Sequence, residues 1–412
     1  MATSSMYAAV SGLNALETEL AVISNNLTNQ NTYGYKENRT IFGDLLTQSM
    51  GGQGSGGGVT VLGVDPVFSQ GTLDTTGNTL DMAIDGDGFF KLSGAGGTFY
   101  TRDGQFTTDS LGNIVDQKGY FLQGYQVDAN NNLTDSIGDL NLTTAQIPGE
   151  ATTTVGMDVN LNASDTVQTS AFSITNNVAS NYNYSTTVDM YDSQGGSWPV
   201  NVYFCNEGNN TWDVYYAYTP AGGSLTQINA TATTLTFSGT GAFVSAANAN
   251  ITFQPNSTVN SETITFNYDQ TADPSTQYNS DFAVLSVSKN GYATGTLSNF
   301  SIDKTGIITA TFTNGQTKTV GEVALAKFPA ESELASVGGN MYQETNGSGQ
   351  AVVGNPGTAS LGNVISGSLE ESNVSQSDQF VKMIAAQSAY EANSKMISTE
   401  EQLLQTLINM KQ

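Results

Sequence analysis

The sequence predicts a multi-domain, mainly antiparallel β protein whose N- and C-terminal α-helices pair as a coiled-coil-like inner domain. Three observations carry this. Apolar residues recur at steps of three and four at both ends of the 412-residue chain. Between the ends, short runs rich in aromatic and β-branched residues are broken by Gly, Asn and Asp. The basic residues also leave a long gap that marks out a separate acidic segment.

The N-terminal stripe is Met6, Val10, Leu13, Leu16, Leu20, Ile23 and Leu27, close to a heptad seam on one helix face. Asn25, Asn26, Asn29 and Asn31, followed by Gly34, favour its termination. Residues 31–75 read as a connecting segment, and the Gly-rich run 51–58 within it as a flexible linker. At the other end, Phe380, Ile384, Gln387, Tyr390, Ser394, Ile397, Glu401, Leu404 and Ile408 follow steps of three or four. Ser375 or Ser377 caps that helix and Asp378 suits its first turn. A second apolar line of Met383, Leu403, Leu407 and Met410 widens the face. Two helices cannot bury two wide apolar faces by pairing only with each other, so packing on neighbouring copies is expected. The plainer reading is that both simply pack inside one globular domain.

The middle is β. Phe89 to Leu92 leads through a Gly-rich turn to Thr98, Phe99 and Tyr100, and turn signals follow at Asp103-Gly104, Leu111-Gly112-Asn113 and Lys118-Gly119. Asn290-Gly291 and Asn314-Gly315 are candidate two-residue hairpins. No Lys or Arg stands between Lys118 and Lys289, while the gap holds 14 Asp and Glu. We therefore expect a terminal helical domain at 1–30 and 366–412, a connecting segment at 31–75, a discontinuous β domain at 76–147 and 283–365, and an inserted acidic outer β domain at 148–282. Ordinary acidic surface would leave the same charge gap.

Composition excludes several function classes. Without His there is no Ser-His-Asp triad and no His-ligated metal. One Cys, Cys205, forms neither an intrachain disulfide nor a Cys-rich zinc site. A formal charge of −25 argues against nucleic acid, and no apolar run approaches a membrane-spanning helix. The first basic residue is Lys36, so the start lacks the positive region of a Sec signal. Asp81, Asp85 and Gly86 fit an EF-hand loop poorly, because Ala83 and Leu92 fall at ligand positions; a tight turn at 85–88 is the better reading. The scattered Asp residues give no sign of a paired glycosidase acid and nucleophile, and no Gly-rich stretch ends as a phosphate loop does. Cys205 lies in a strand-like run and reads as a buried, inert thiol. No enzyme, cofactor or metal is expected.

Particular runs resemble a known family. Ser11-Gly12-Leu13-Asn14-Ala15, Ile23-Ser24-Asn25-Asn26-Leu27-Thr28-Asn29 and Tyr33-Gly34-Tyr35-Lys36 are similar to the N-terminal signature of bacterial flagellar axial (rod and hook) proteins. Gly367-Ser368-Leu369-Glu370-Glu371-Ser372-Asn373-Val374 resembles their C-terminal signature, and Tyr390-Glu391-Ala392-Asn393 continues it. Asp87-Gly88-Phe89-Phe90 and the run from Phe99 through Arg102 to Phe106 occur in both rod and hook types. Tyr191-Asp192-Ser193-Gln194-Gly195, Asn290-Gly291-Tyr292-Ala293-Thr294-Gly295 and the run from Gly321 to Phe328 look like the hook type.

The resemblance implies a structural subunit that self-assembles into a curved, flexible tube transmitting motor torque to the filament as a universal joint. It implies an extracellular location reached through the flagellar type III apparatus. The implied partners are further copies in a homo-polymer, a distal rod protein, a hook cap, a hook-filament junction protein and the export gate. Neither nucleic acid binding nor membrane insertion is implied. Leu13, Leu16, Leu20, Ile23, Leu27, Ile397, Leu404, Leu407 and Ile408 would carry subunit assembly. Asn25, Asn26, Asn29, Gly34, Ser372 and Asn373 are the signature positions. Phe42 and Leu46 stand at the two positions of the family's gate-docking pair, Leu46 where an aromatic is usual. The alternatives are a distal rod-type axial subunit and, from a different class, a secreted β-rich hydrolase or adhesin.

Overall fold

The computed structural model describes residues 2–47, 55–128, 130–142, 146–174, 181–220, 223–256, 258–270, 274–358 and 360–410, without the side chains of 2–5, 46–47, 55–56 and 407–408. The fold is mainly antiparallel β with one long helix at each end, α1 (Ala2–Thr28) and α2 (Gln376–Asn409). It divides into two compact units.

The first unit holds residues 1–143, 299–311 and 317–412. Its helices pack together and run antiparallel, because Gly12 faces Asn393 while Asn26 reaches Gln379. The packed face of α1 is Ala9, Gly12, Ala15, Ile23 and Asn26, all buried. On α2 the buried residues are Gln379 and Ala386. This corrects the expected C-terminal stripe. Phe380, Ile384, Tyr390 and Leu404 are exposed, Ile384 by 63%. The reason is steric: a side chain on Gly12 would press on the Asn393 amide at 3.0 Å, so the helices approach closely through small residues. Larger apolar side chains are turned outward.

The connecting segment is also different from its composition-based reading. Strands β1 (Asn38–Thr47) and β2 (Ser55–Pro66) form an antiparallel hairpin that packs on α1. Residues 51–54 of the Gly-rich run lie outside the described residues, but 55–58 belong to β2. Gly58 has φ +107, and a β-carbon there would overlap Ser11 Oγ and stand 3.1 Å from Ala8 Cα. Ser11 Oγ meanwhile accepts the Val59 N–H at 3.2 Å. Glycine at this position permits close approach to a helix rather than flexibility.

The β part of the first unit hydrogen-bonds Ile307–Phe312, Thr317–Val323, Phe121–Val127, Phe89–Gly94, Gly97–Thr101, Met341–Gln343 and Ala335–Ser336 in that order. Phe89, Tyr100, Phe328 and Tyr342, with Leu334, form a largely aromatic core cluster, with Phe68 packed edge-on against Phe89 at 5.1 Å. Asn314-Gly315 does turn between two paired strands, with Gly315 at φ +78. Asn290-Gly291 does not: the strands on either side of it, Ala283–Lys289 and Gly295–Ile302, pair elsewhere. The Asn290 side chain is instead used to accept the N–H groups of Thr153 and Thr154, each at 3.0 Å.

The second unit holds residues 144–298 and 312–316. One sheet orders Asn250–Phe253, Glu262–Asn267, Thr154–Asn160 and Ala283–Lys289. The other orders Tyr184–Tyr191, Ser197–Gly208, Thr211–Tyr218, Thr233–Phe237 and Phe243–Ala247. Alternating side chains of both sheets, among them Val155, Met157, Trp212, Val214 and Phe266, make one continuous core, as a sandwich requires. Cys205 is buried here and its thiol is pushed up to about 12, first by burial and then by Glu207 and Asp213.

Candidate functional site

The signature residues of both termini converge in the first unit, at the foot of the helices. Chain geometry brings them there. Asn25 closes α1: its side-chain and backbone oxygens both accept from the Asn29 amide, at 2.7 and 2.9 Å. The backbone turns at Gly34, which has φ +69 and lies so near the main chain of 102–103 that a β-carbon would stand 2.5 Å from Asp103 N. That turn delivers the Gly34 N–H to the Glu370 carbonyl at 2.8 Å and points the next residues inward. From the C-terminal side, Ser368–Glu370 pairs antiparallel with Leu73–Thr75, which fixes Glu370 opposite Leu73.

Glu370 is then the centre of a buried ionic group. Lys36 Nζ donates to its Oε1 at 2.6 Å and Arg102 to its Oε2 at 3.3 Å. The Gly71 N–H adds a bond to Oε1 at 2.8 Å, and Lys36 also donates to the Ser69 carbonyl at 2.8 Å. The Lys36 and Glu370 side chains are wholly shielded from solvent. Burial pulls the Lys36 ammonium below its ordinary range, and the Glu370 carboxylate offsets part of that. Arg102 also stacks on the Phe89 ring, 5.3 Å from its centroid, so the ionic group rests on the aromatic core.

Around this centre lies a polar lattice. Asn26 accepts the Asn38 N–H at 2.9 Å and donates to the Asn38 carbonyl at 2.8 Å, as a neighbouring strand would. The Tyr35 hydroxyl donates to Asn26 Oδ1 at 3.1 Å. Asn373 accepts the Glu37 N–H at 2.7 Å and donates to the Val67 carbonyl at 2.8 Å. Glu37 in turn receives Gln379 at 2.8 Å and Lys382 at 2.6 Å, both from α2. Ser372 makes only a local bond, its hydroxyl accepting the Val374 N–H at 3.3 Å.

Of the residues singled out from sequence, Asn26, Gly34 and Asn373 meet in this junction, while Asn25 and Asn29 close the helix above it. The assembly residues are elsewhere. Ile23 is buried, Leu13, Leu16, Leu20, Leu27 and Ile397 are half-buried, and Leu404 is exposed. Leu407 and Ile408 lie on α2 with side chains outside the described residues. Phe42 is exposed on β1, opposite Val61; Leu46 is on the same strand, its side chain outside the described residues. Sequence reasoning gave Lys36, Arg102, Glu370, Glu37 and Gln379 no role. The available signal was scarcity: Lys36 and Arg102 are two of only 12 basic residues, and both sit inside signature runs. Chemically, the junction is a lock that joins four chain segments, those of Lys36, Gly71, Arg102 and Glu370.

Comparison with known proteins agrees with the terminal and interior signatures. Family profiles match along the chain: "Flagella basal body rod protein" at residues 6–36, "Flagellar hook protein FlgE/F/G D1 domain" at 83–168, "Flagellar basal body protein FlaE D2 domain" at 160–292 and "Flagellar basal body rod FlgEFG protein C-terminal" at 365–410. The chain is 37% identical to the flagellar hook protein FlgE of Escherichia coli, covering 98% of this chain and 99% of that one. It is 35% identical to that of Salmonella typhimurium over the same shares. Among solved structures, the flagellar hook protein FlgE2 of Helicobacter pylori shares the fold with a TM-score of 0.51 at 16% identity, covering 71% of this chain and 98% of that one.

Proposed function

The chain belongs to the flagellar hook protein family, and from that premise we propose how its parts serve the hook. It is a structural subunit of the bacterial flagellar hook, in the extracellular part of the flagellum, and it polymerises there with copies of itself. In our reading it works by cohesion and compliance, without catalysis. Cohesion comes from the outward faces of α1 and α2, where Met6, Val10, Phe380, Ile384 and Leu404 await neighbouring copies. The observation that carries this is that the two helices approach each other closely through small residues while several large apolar side chains, Met6, Val10, Phe380 and Ile384 among them, stay exposed. The buried Lys36–Glu370–Arg102 group keeps those helices fixed to the β framework under load. Compliance comes from polar surfaces rich in Gly, Ser, Thr and Asn, since wet interfaces slide more readily than dry ones.

The remaining partners follow from the same reading: a distal rod protein, a hook cap, a hook-filament junction protein and the type III export gate. Phe42, with Leu46, would dock at the gate while the chain is extended, before β1 forms. The scarcity of Cys fits passage of an unfolded chain.

Immunogold electron microscopy of intact basal structures with antibody against residues 150–280 tests this. Label on the short curved segment between rod and filament is expected. Label confined to the envelope would make this a rod component, and no label on any flagellar structure would overturn the assignment.

A further inference from the structure

The sequence holds three Asn-Gly pairs, at 290–291, 314–315 and 346–347. Such a pair carries its own chemistry. The glycine nitrogen can attack the preceding side-chain amide, because no β-carbon stands in the way. The attack needs those groups free, since each hydrogen bond to them must first be given up. Two of the pairs are tied. Asn290 Oδ1 accepts the Thr153 and Thr154 N–H groups at 3.0 Å each, and its Nδ2 donates to Thr153 Oγ1 at 2.7 Å. Gly291 beside it is buried and packed against Thr152. Asn314 donates to the Ala293 carbonyl at 2.8 Å and accepts the Gln316 N–H at 3.1 Å, while the Phe312 carbonyl holds the Gly315 N–H at 3.0 Å.

Asn346 differs. It is exposed, as Asn290 is, but among the described residues its side chain makes no hydrogen bond. Gly347 is exposed too, and its N–H makes one bond of 3.2 Å, to Thr345 Oγ1. That hydroxyl also accepts the Ser348 N–H at 3.1 Å and donates to the Glu333 carbonyl at 2.7 Å, so the Gly347 bond is the longest of the three. Exposure therefore does not separate 346 from 290; the freedom of the side chain does. We propose that Asn346 is a site of self-modification: in the folded chain it, and neither Asn290 nor Asn314, is converted to aspartate and isoaspartate. The Gly347 nitrogen gives its proton to hydroxide and bonds to Asn346 Cγ. The Cγ–Nδ2 bond breaks, and the nitrogen takes up a proton and leaves as ammonia. One water then opens the cyclic imide at either carbonyl. Each event adds one carboxylate to a chain already at −25. The new charge arrives close to Glu333, whose Oε2 would stand 3.0 Å from a β-carbon on Gly347. In isoaspartate the main chain also gains a carbon, inside the turn that Thr345 and Ser348 tie to Glu333 and Ala330.

Peptide mass mapping of the unassembled full chain, kept folded in warm, mildly alkaline buffer and sampled over days, tests this. The peptide with residue 346 should gain the mass difference of an acid over an amide and take up methyl label from an isoaspartate-specific carboxyl methyltransferase. The peptides with 290 and 314 should stay unchanged. No change at 346, or change at 290 or 314 at a matching rate, overturns the proposal. In urea all three pairs should react at similar rates; a preference for 346 that persists there would show that local sequence rather than bonding sets it, which also overturns the proposal. Gly347→Ala should slow the loss of the 346 amide several-fold in the folded chain, because the added methyl hinders the attack and meets only the Glu333 side chain. An unchanged rate overturns the cyclic route.

Discussion

Lys36 and Glu370 form an ion pair of 2.6 Å that is sealed from solvent and joins residues 334 positions apart. Because Arg102 shares the same carboxylate, the pair is unequal: removing Glu370 strands two buried cations, while removing Lys36 leaves one ion pair intact. Breaking a buried pair from one side costs about 3–5 kcal/mol. Glu370→Gln should therefore lower the stability of the first unit by about that much, and Lys36→Met by clearly less. Urea melts of the full chain check the order; equal losses would mean that Arg102 contributes nothing to the group.

Gly58 makes a second prediction. Gly58→Ala places a β-carbon against Ser11 Oγ at a backbone angle that L residues avoid. Strain of this kind costs on the order of 1–3 kcal/mol. Protection of β2 amides against hydrogen exchange should fall while the second unit keeps its protection. Adding Ser11→Gly should not restore it, since Ala8 Cα stays 3.1 Å away.

These two sites also show what the sequence could and could not reveal. The terminal helices were legible, because steps of three and four recur over many turns. Their packed faces were not. The seam is built mostly from small or polar residues, Ala9, Gly12, Ala15, Asn26, Gln379 and Ala386, which carry little hydrophobic weight; of the larger residues in the pattern Ile23 is buried, while Phe380, Ile384, Tyr390 and Leu404 are turned outward. Composition likewise marked 51–58 as a linker, but at Gly58, Gly that allows close approach looks the same as Gly that allows motion. Asn25, Asn26, Asn29 and Asn373 stood out by resemblance, but the bonds they make depend on segments brought together from opposite ends. The β character of the acidic segment was readable from its short aromatic and β-branched runs. The pairing of 283–289 was not, because Asn290-Gly291 has the composition of a hairpin and serves another purpose.

Asp103 adds a dependence on pH. Its carboxyl is pushed up to about 6, chiefly by burial and further by Asp116 and Asp81, against bonding from the Gln105 N–H and attraction from Lys118. A raised folded value means the fold favours the neutral acid. The stability it contributes is complete below the ordinary carboxyl range and is lost as pH rises through about 6. Asp103→Asn mimics the neutral form and can still accept the Gln105 N–H. It should stabilise the first unit at pH 7 by on the order of 2 kcal/mol and have little effect near pH 3.5. Thermal melts at the two pH values decide this; equal shifts at both would show that charge is not the cause.

Salt should act on assembly. Each copy carries a formal charge of −25, and close packing of such subunits is opposed by repulsion that about 8 Å of screening at physiological ionic strength weakens. The critical concentration for tube formation should fall as NaCl rises. A rise would show that attraction between opposite charges, rather than apolar contact, dominates the interfaces.

Leu404 separates assembly from folding. It lies on the outward side of α2 and is 38% exposed, so Leu404→Asp removes little packing within the subunit. In a polymer that covers this face, the same carboxylate would be buried without a partner, which is costly. The variant should therefore keep the melting behaviour of the wild-type chain yet form no tubes. Leu20→Asp, at a half-buried position on α1, should also abolish tubes but with a measurable loss of first-unit stability. The contrast is the informative part, since it ties the loss of tubes to the outward helix faces. If Leu404→Asp still assembles, those faces are not the main source of cohesion, and the strand contacts of the β units must hold the hook together.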